Sequence, residues 1–156
     1  MPDGSYVWLN KQSSLSYSEN FNAENRTVQL TGEAFFEVKP DSQKPFVVRT
    51  SGAQVKVLGT SFNVRLNEKS GDTEVFVVTG LVGFANLKNE EAGIKLRPGE
   101  GATTRDNAVA MLDAEDSNFL AWKEKRLIFK KSSLSSVFED LEKYFKSTTR
   151  KEKKGD

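Results

Sequence analysis

The sequence predicts an all-β body followed by a short strand–helix fragment, and three observations carry that prediction. Apolar and polar residues alternate with period 2 over short segments through residues 3–112. Gly, Pro, Asn and Asp punctuate those segments at the spacing of a sandwich, barrel or solenoid. No segment of helical period interrupts them before residue 132.

The elements follow in order. Asp3-Gly4 is a turn signal that leads into SYVWL (5–9). A turn at 23–25 precedes TVQLT (27–31), and AFFEVK (34–39) comes next. After the polar loop 40–44, PFVVRT (45–50) opens on a proline, which suits the first residue of a strand. Ser51-Gly52 turns the chain into AQVKVL (53–58), and TSFNVRL (60–66) follows Gly59. Beyond the loop 67–72 come TEVFVV (73–78), LVGFANL (81–87), a polar hairpin through 89–93, IKL (94–96) and a last pair around 105–107. The total is about eleven strands, arranged as a β-solenoid or a sandwich-like body. Gly32, Gly59, Gly80 and Gly99 sit between strands at separations of 27, 21 and 19 residues, too irregular for a strict repeat array. They read as corners where the backbone needs φ > 0 or close approach, with one corner per coil of a degenerate solenoid as the alternative.

The character changes after Met111. Residues 113–122 form a polar linker to Trp122, RLIFKK (126–131) is one more strand, and 132–145 is helical. Leu134, Val137, Phe138, Leu141, Tyr144 and Phe145 fall on one face of that helix, with Ser133 as its cap. An isolated helix of this length is marginal in water, so the face needs a partner surface. It is either a docking element on the β body or a partner-binding interface. The tail 146–156 holds five basic and two acidic residues and no apolar one, and is expected to be disordered.

Composition excludes much. Without histidine or cysteine there are no His-based triads, no common zinc sites, no thiolate chemistry and no disulfides. The net charge is +1, and without the tail the body has 18 basic and 20 acidic residues, so no broad field attracts nucleic acid or a membrane. No apolar run is long enough to span a bilayer. The opening MPDGSYVWL has neither a basic n-region nor an apolar h-region; it reads as an initiator Met on an interior segment of a longer protein. Glu33 and Glu37 share a strand face, but that pattern is commoner on a solvated face than in a glycosidase pair. No serine sits in a nucleophile turn, and Gly59-Thr60 and Pro98-Gly99 lack the Lys and helix of a phosphate cradle. No enzyme, cofactor or metal is expected. Tyr6, Trp8 and Tyr17 either pack on neighbouring strands or form an aromatic platform for sugar.

An ordered set of phrases resembles the extracytoplasmic domain of FecR-family anti-sigma regulators. PDGSYVWLN (2–10) is similar to the family's opening, with Leu15 and Tyr17 following. Arg26 to Val38 (RTVQLTGEAFFEV), PFVV (45–48), VKVLGTSFNV (55–64), LRPGE (96–100) and Trp122 with Phe129 resemble its later phrases, in the family's order. Residues 126–145 resemble the start of the small C-terminal α/β domain of Bacteroidetes members, related to the secretin/TonB short N-terminal fold. Two positions depart from the pattern: Lys125 stands where the family often has glycine, and the basic tail replaces the strands expected after Phe145.

The resemblance implies three segments: a FecR-type body at 1–122, a truncated C-terminal domain at 126–145 and a basic tail at 146–156. It implies the periplasmic part of a single-pass inner-membrane protein. Such a protein relays the state of a TonB-dependent outer-membrane transducer to an extracytoplasmic-function sigma factor. Its partners would be the receptor's signalling domain and, through a cytoplasmic segment outside this chain, the sigma factor. This fragment itself would touch neither nucleic acid nor membrane. A carbohydrate-binding module built on the Tyr6/Trp8/Tyr17 platform is the alternative.

Overall fold

The computed structural model describes residues 1–113 and 119–125. Two units divide the chain, Met1–Glu115 and Asp116–Asp156. Among the described residues the first unit holds twelve strands in two six-stranded sheets. One sheet runs β1 (Tyr6–Leu9), β4 (Glu33–Glu37), β7 (Ser61–Leu66), β8 (Thr73–Thr79), β11 (Gly101–Arg105), β12 (Ala108–Met111). The other runs β10 (Asn89–Leu96), β9 (Val82–Asn86), β6 (Ala53–Val57), β5 (Phe46–Arg49), β3 (Arg26–Thr31), β2 (Ser14–Tyr17).

Of the two architectures the sequence left open, this is the sandwich. Every strand pairing is antiparallel except β3 with β5, whereas a solenoid stacks its coils in parallel. The core lies between the sheets, where the inward phase of each strand is apolar: Val28 and Leu30, Phe46 and Val48, Val55 and Val57 from one sheet meet Ala34 and Phe36, Phe62 and Val64, Val75 and Val77 from the other. Phe36 stacks on Phe62 at 5.1 Å and meets Phe46 of the opposite sheet edge-on at 6.0 Å, which joins the layers through aromatic contact.

Two differences from the expected strands have physical causes. β2 (SLSY) is a twelfth strand that the sequence reading left unassigned; only Leu15 and Tyr17 carry its alternation, and serine is no strand former. The expected polar hairpin at 89–93 is instead the first part of β10. An edge strand tolerates Glu90 and Glu91, and the register shift between Asn89 and Ile94 accommodates them. The last pair is as expected, turned by Asp106 and Asn107 at φ 51° and 65°, the left-handed pair of a tight hairpin.

The corner glycines work in both ways foreseen. Gly32 has φ +89°, a conformation costly for any residue with a Cβ. Gly59 has no such φ, but a Cβ there would lie 2.6 Å from Pro40 Cα.

In the second unit, a four-residue helix, α1 (Ala121–Glu124), begins in the last two residues of the stretch read as linker (113–122) and runs into residues the sequence reading left unassigned. Lys125 ends it at φ 58°, with its N–H donated to Ala121 O at 2.8 Å. The position where the resemblance expects glycine is therefore left-handed, which explains the glycine and makes lysine the strained choice. The expected strand 126–131, helix 132–145 and tail 146–156 lie outside the described residues.

Gly59→Ala is expected to lower stability by about 1–3 kcal/mol, since neither the proline ring nor its backbone can yield. A urea midpoint unchanged from wild type would show that the contact with Pro40 is not limiting.

Candidate functional site

Among the described residues one cation, Arg26, is fully buried. Arg26 shares the inward phase of Val28 and Leu30, and its residue is 1% exposed. Its guanidinium donates through Nε to Lys44 O at 2.7 Å, through Nη1 to Lys39 O at 2.8 Å and Asp3 Oδ2 at 3.1 Å, and through Nη2 to Asp41 O at 3.3 Å. The Phe46 ring lies 5.6 Å beneath. Asp3 is in turn held by the Ser5 N–H at 3.0 Å and Ser5 Oγ at 2.7 Å, while Ser5 Oγ accepts the Lys39 N–H at 2.9 Å. Two phrases far apart in sequence, PDGS and RTVQLT, thus meet in one knot that closes one end of the sandwich.

Burial pushes the Asp3 carboxyl up, but the Ser5 hydrogen bonds and the Arg26 guanidinium outweigh it and hold the carboxyl below its usual range. A carboxyl lowered on folding contributes stability above the ordinary aspartate value of about 3.9. That contribution is lost as pH falls through the folded value.

At the opposite end, buried hydroxyls tie the sheets together. Thr50 Oγ1 and Thr73 Oγ1 share a hydrogen bond of 2.7 Å, and Thr73 N–H donates to Thr104 Oγ1 at 2.8 Å. Above them opens a polar cavity of about 500 Å³, walled by turn residues that include Ser51, Asp72, Asn86, Lys88 and Arg105.

The residues singled out in sequence are dispersed. On the outer face of β4, the Glu33 carboxylate accepts from Asn10 Nδ2 at 3.0 Å and Asn63 Nδ2 at 2.9 Å, and its N–H donates to Ser13 Oγ at 2.9 Å. Glu33 therefore ties β4 to β7 and to the turn after β1, while Glu37 is exposed. Phe35 and Phe36 are both buried on opposite faces, Phe36 in the core and Phe35 against Trp8 at 5.8 Å. Tyr6 lies 6.2 Å from Trp8 on β1, whereas Tyr17 stands on the other sheet against Phe21 at 5.0 Å. No ring contact joins Tyr17 to that pair among the described residues, so the three do not form one platform. Leu134, Val137, Phe138, Leu141, Tyr144 and Phe145 lie outside the described residues. Among the described residues no cluster of acidic side chains could hold a metal ion.

A family model, the FecR protein, matches residues 1–83. The chain belongs to the FecR family. FecR domains are periplasmic parts of membrane anti-sigma factors, and the family is regulatory. Two crystal structures of a candidate anti-sigma factor from Parabacteroides distasonis resemble this FecR chain. One is 35% identical with a TM-score of 0.74, covering 94% of this chain and 68% of its own. The other is 36% identical with a TM-score of 0.73, covering 91% and 66%. No curated protein matches the chain. An anti-sigma regulatory role is what the family and these neighbours support. Among the described residues of this FecR chain, no helix is long and apolar enough to cross a membrane.

Sequence reasoning missed Arg26 as the organising residue. The signal was present: a basic residue in the inward phase of an otherwise apolar strand must find acceptors.

Arg26→Met is expected to cost about 3–5 kcal/mol, because it strands a buried carboxylate and three carbonyl oxygens. Asp3→Asn should be milder at neutral pH and should flatten the acid limb of the stability curve below about pH 4. Urea melts of wild type and Asp3→Asn between about pH 2 and 7 check this; parallel curves would remove Asp3 from the acid response.

Proposed function

We propose that this chain is the periplasmic signalling portion of an anti-sigma regulator. It relays the state of a TonB-dependent outer-membrane transducer to an extracytoplasmic-function sigma factor. Contact with the receptor's signalling domain is made in the periplasm, and contact with the sigma factor through a cytoplasmic segment of the same protein.

The observation that carries this reading is the FecR match over residues 1–83, in a body whose buried polar groups are consumed in tying loops and strands together. Arg26, Glu33, Thr50 and Thr73 are structural hubs whose polar groups bond within the body. A body of that kind acts by presenting surface to other proteins.

In this reading residues 1–122 are the FecR body, 126–145 begin a C-terminal α/β domain, and 146–156 are a solvated basic tail. The helical face Leu134, Val137, Phe138, Leu141, Tyr144 and Phe145 supplies partner contacts there. The basic tail, with five positive charges and no aromatic residue, binds neither nucleic acid nor membrane.

Amide hydrogen exchange with the purified signalling domain of a TonB-dependent receptor tests the relay. Slowed exchange is expected in the β body or in 126–145 on addition of that domain. Unchanged exchange throughout at saturating concentration would remove the receptor from the proposal.

A further inference from the structure

Four strands, two from each sheet, change character at the end of the sandwich opposite Arg26. Along β5, β8, β9 and β11 the inward phase is apolar at Val48, Val75, Phe84 and Ala102. The next inward residue is polar in every case: Thr50 just past β5, Thr73 on β8, Asn86 on β9 and Thr104 on β11, all of them buried. Part of this polar layer is spent internally. Thr50 Oγ1 accepts the Gly52 and Ala53 N–H groups at 3.3 and 3.0 Å and shares its bond with Thr73. Thr104 Oγ1 accepts the Thr73 N–H, and Asn86 Oδ1 accepts the Lys88 N–H at 2.8 Å.

What remains is a set of donors. The Thr104 hydroxyl proton and the two N–H groups of Asn86 Nδ2 have no acceptor among the described residues, and both side chains belong to the wall of the 500 Å³ cavity. The turns above them are held in place. Leu87 N–H donates to Gly52 O at 3.1 Å, and Asn67 N–H to Asp72 O at 2.8 Å. A Cβ on Gly52 would lie 2.8 Å from Gly71 O, so a bare backbone lets the turn after β5 close on the loop before β8. Around this floor the cavity carries two cations, Lys88 and Arg105, and two carboxylates, Asp72 and Asp106. No ion pair joins them among the described residues.

We propose that this cavity binds a small zwitterion, a free α-amino acid or a dipeptide, with its carboxylate on the floor and its ammonium among Asp72 and Asp106. The site is independent of the relay reading and adds a small-molecule ligand to the body. A floor that offers only donors requires an acceptor at the inner end of its occupant. Lys88 and Arg105 strengthen that requirement toward a carboxylate, whose bonds to charged donors are the strong ones. An anion with no positive group would leave Asp72 and Asp106 facing it, whereas an ammonium satisfies them. Those two carboxylates belong to no acidic group that could hold a metal ion among the described residues. Leu87 is the one apolar side chain in the wall and no aromatic ring lines it, so neither an apolar ligand nor a stacked sugar ring finds a surface. The volume falls within the roughly 300–1,000 Å³ of small-molecule sites.

Amide chemical shifts of the isotope-labelled whole chain, titrated with L-serine, L-glutamine and glycylglycine, test the site. Acetate and ethylammonium serve as singly charged controls. The zwitterions are expected to give saturable shifts confined to the four turns at 51–52, 70–72, 86–88 and 104–107. Each control should bind about tenfold more weakly or worse, the size of one lost charge-assisted bond. Arg105→Gln removes an exposed cation, and Asn86→Asp keeps the acceptor for the Lys88 N–H while exchanging the free donor for a carboxylate. Both should weaken zwitterion binding about tenfold or more, with the melting of Arg105→Gln unchanged. If Asn86→Asp does not melt cooperatively, Arg105→Gln and Lys88→Gln decide. Acetate binding as tightly as the zwitterions would assign the cavity to a simple oxyanion and overturn the zwitterion. Absence of shifts with every probe, or shifts that the variants leave unchanged, overturns the site and leaves the relay standing.

Discussion

The buried Arg26 guanidinium is the constraint on which one end of this sandwich depends. A cation at 1% exposure is tolerable only if its donors are used, and here they are spread over Asp3 and the carbonyls of Lys39, Asp41 and Lys44. Each acceptor comes from a segment without regular structure of its own. The arginine therefore sets the path of the N-terminal turn and of the loop between β4 and β5 together. β1 enters its sheet from that turn, so the register of the edge strand also traces back to this one side chain.

The polar groups elsewhere follow the same logic at smaller scale. Glu33 fixes the turn after β1 against β4 and β7, and the threonines lock the sheets at the far end. Between these polar ties lies a dry layer of Val and Phe. The product is a body with differentiated sides, one closed by β12 on β10 and one finished by short uncharged strands.

Most of the fold was legible in the sequence because its strands alternate cleanly. TVQLT, PFVV and AQVKV each place their apolar residues in one phase, and the structure buries that phase. The two failures, β2 and the first part of β10, both fall on edge strands. SLSY has too little apolar character, and Asn89–Leu96 too much charge, because an edge strand needs to satisfy only one neighbour and one face. The site was less legible than the fold. Arg26 was visible in the inward phase, yet its acceptors are mostly main-chain carbonyls, which no sequence displays.

The parallel pairing of β3 with β5 bears on how the chain reaches this state in time. β3 and β5 are joined through β4, which belongs to the other sheet, so their ladder cannot zip from a hairpin turn as β5–β6 or β7–β8 can. The intervening arch must first cross the forming core, and its closure entropy falls due before the pairing rewards it. The β3–β5 pairing joins β1–β4, β4–β7, β6–β9 and β8–β11 among the ladders that form only across intervening strands. Until the arch closes, β3 offers a second open edge beside β2, and the nascent chain is most exposed to mispairing in that interval.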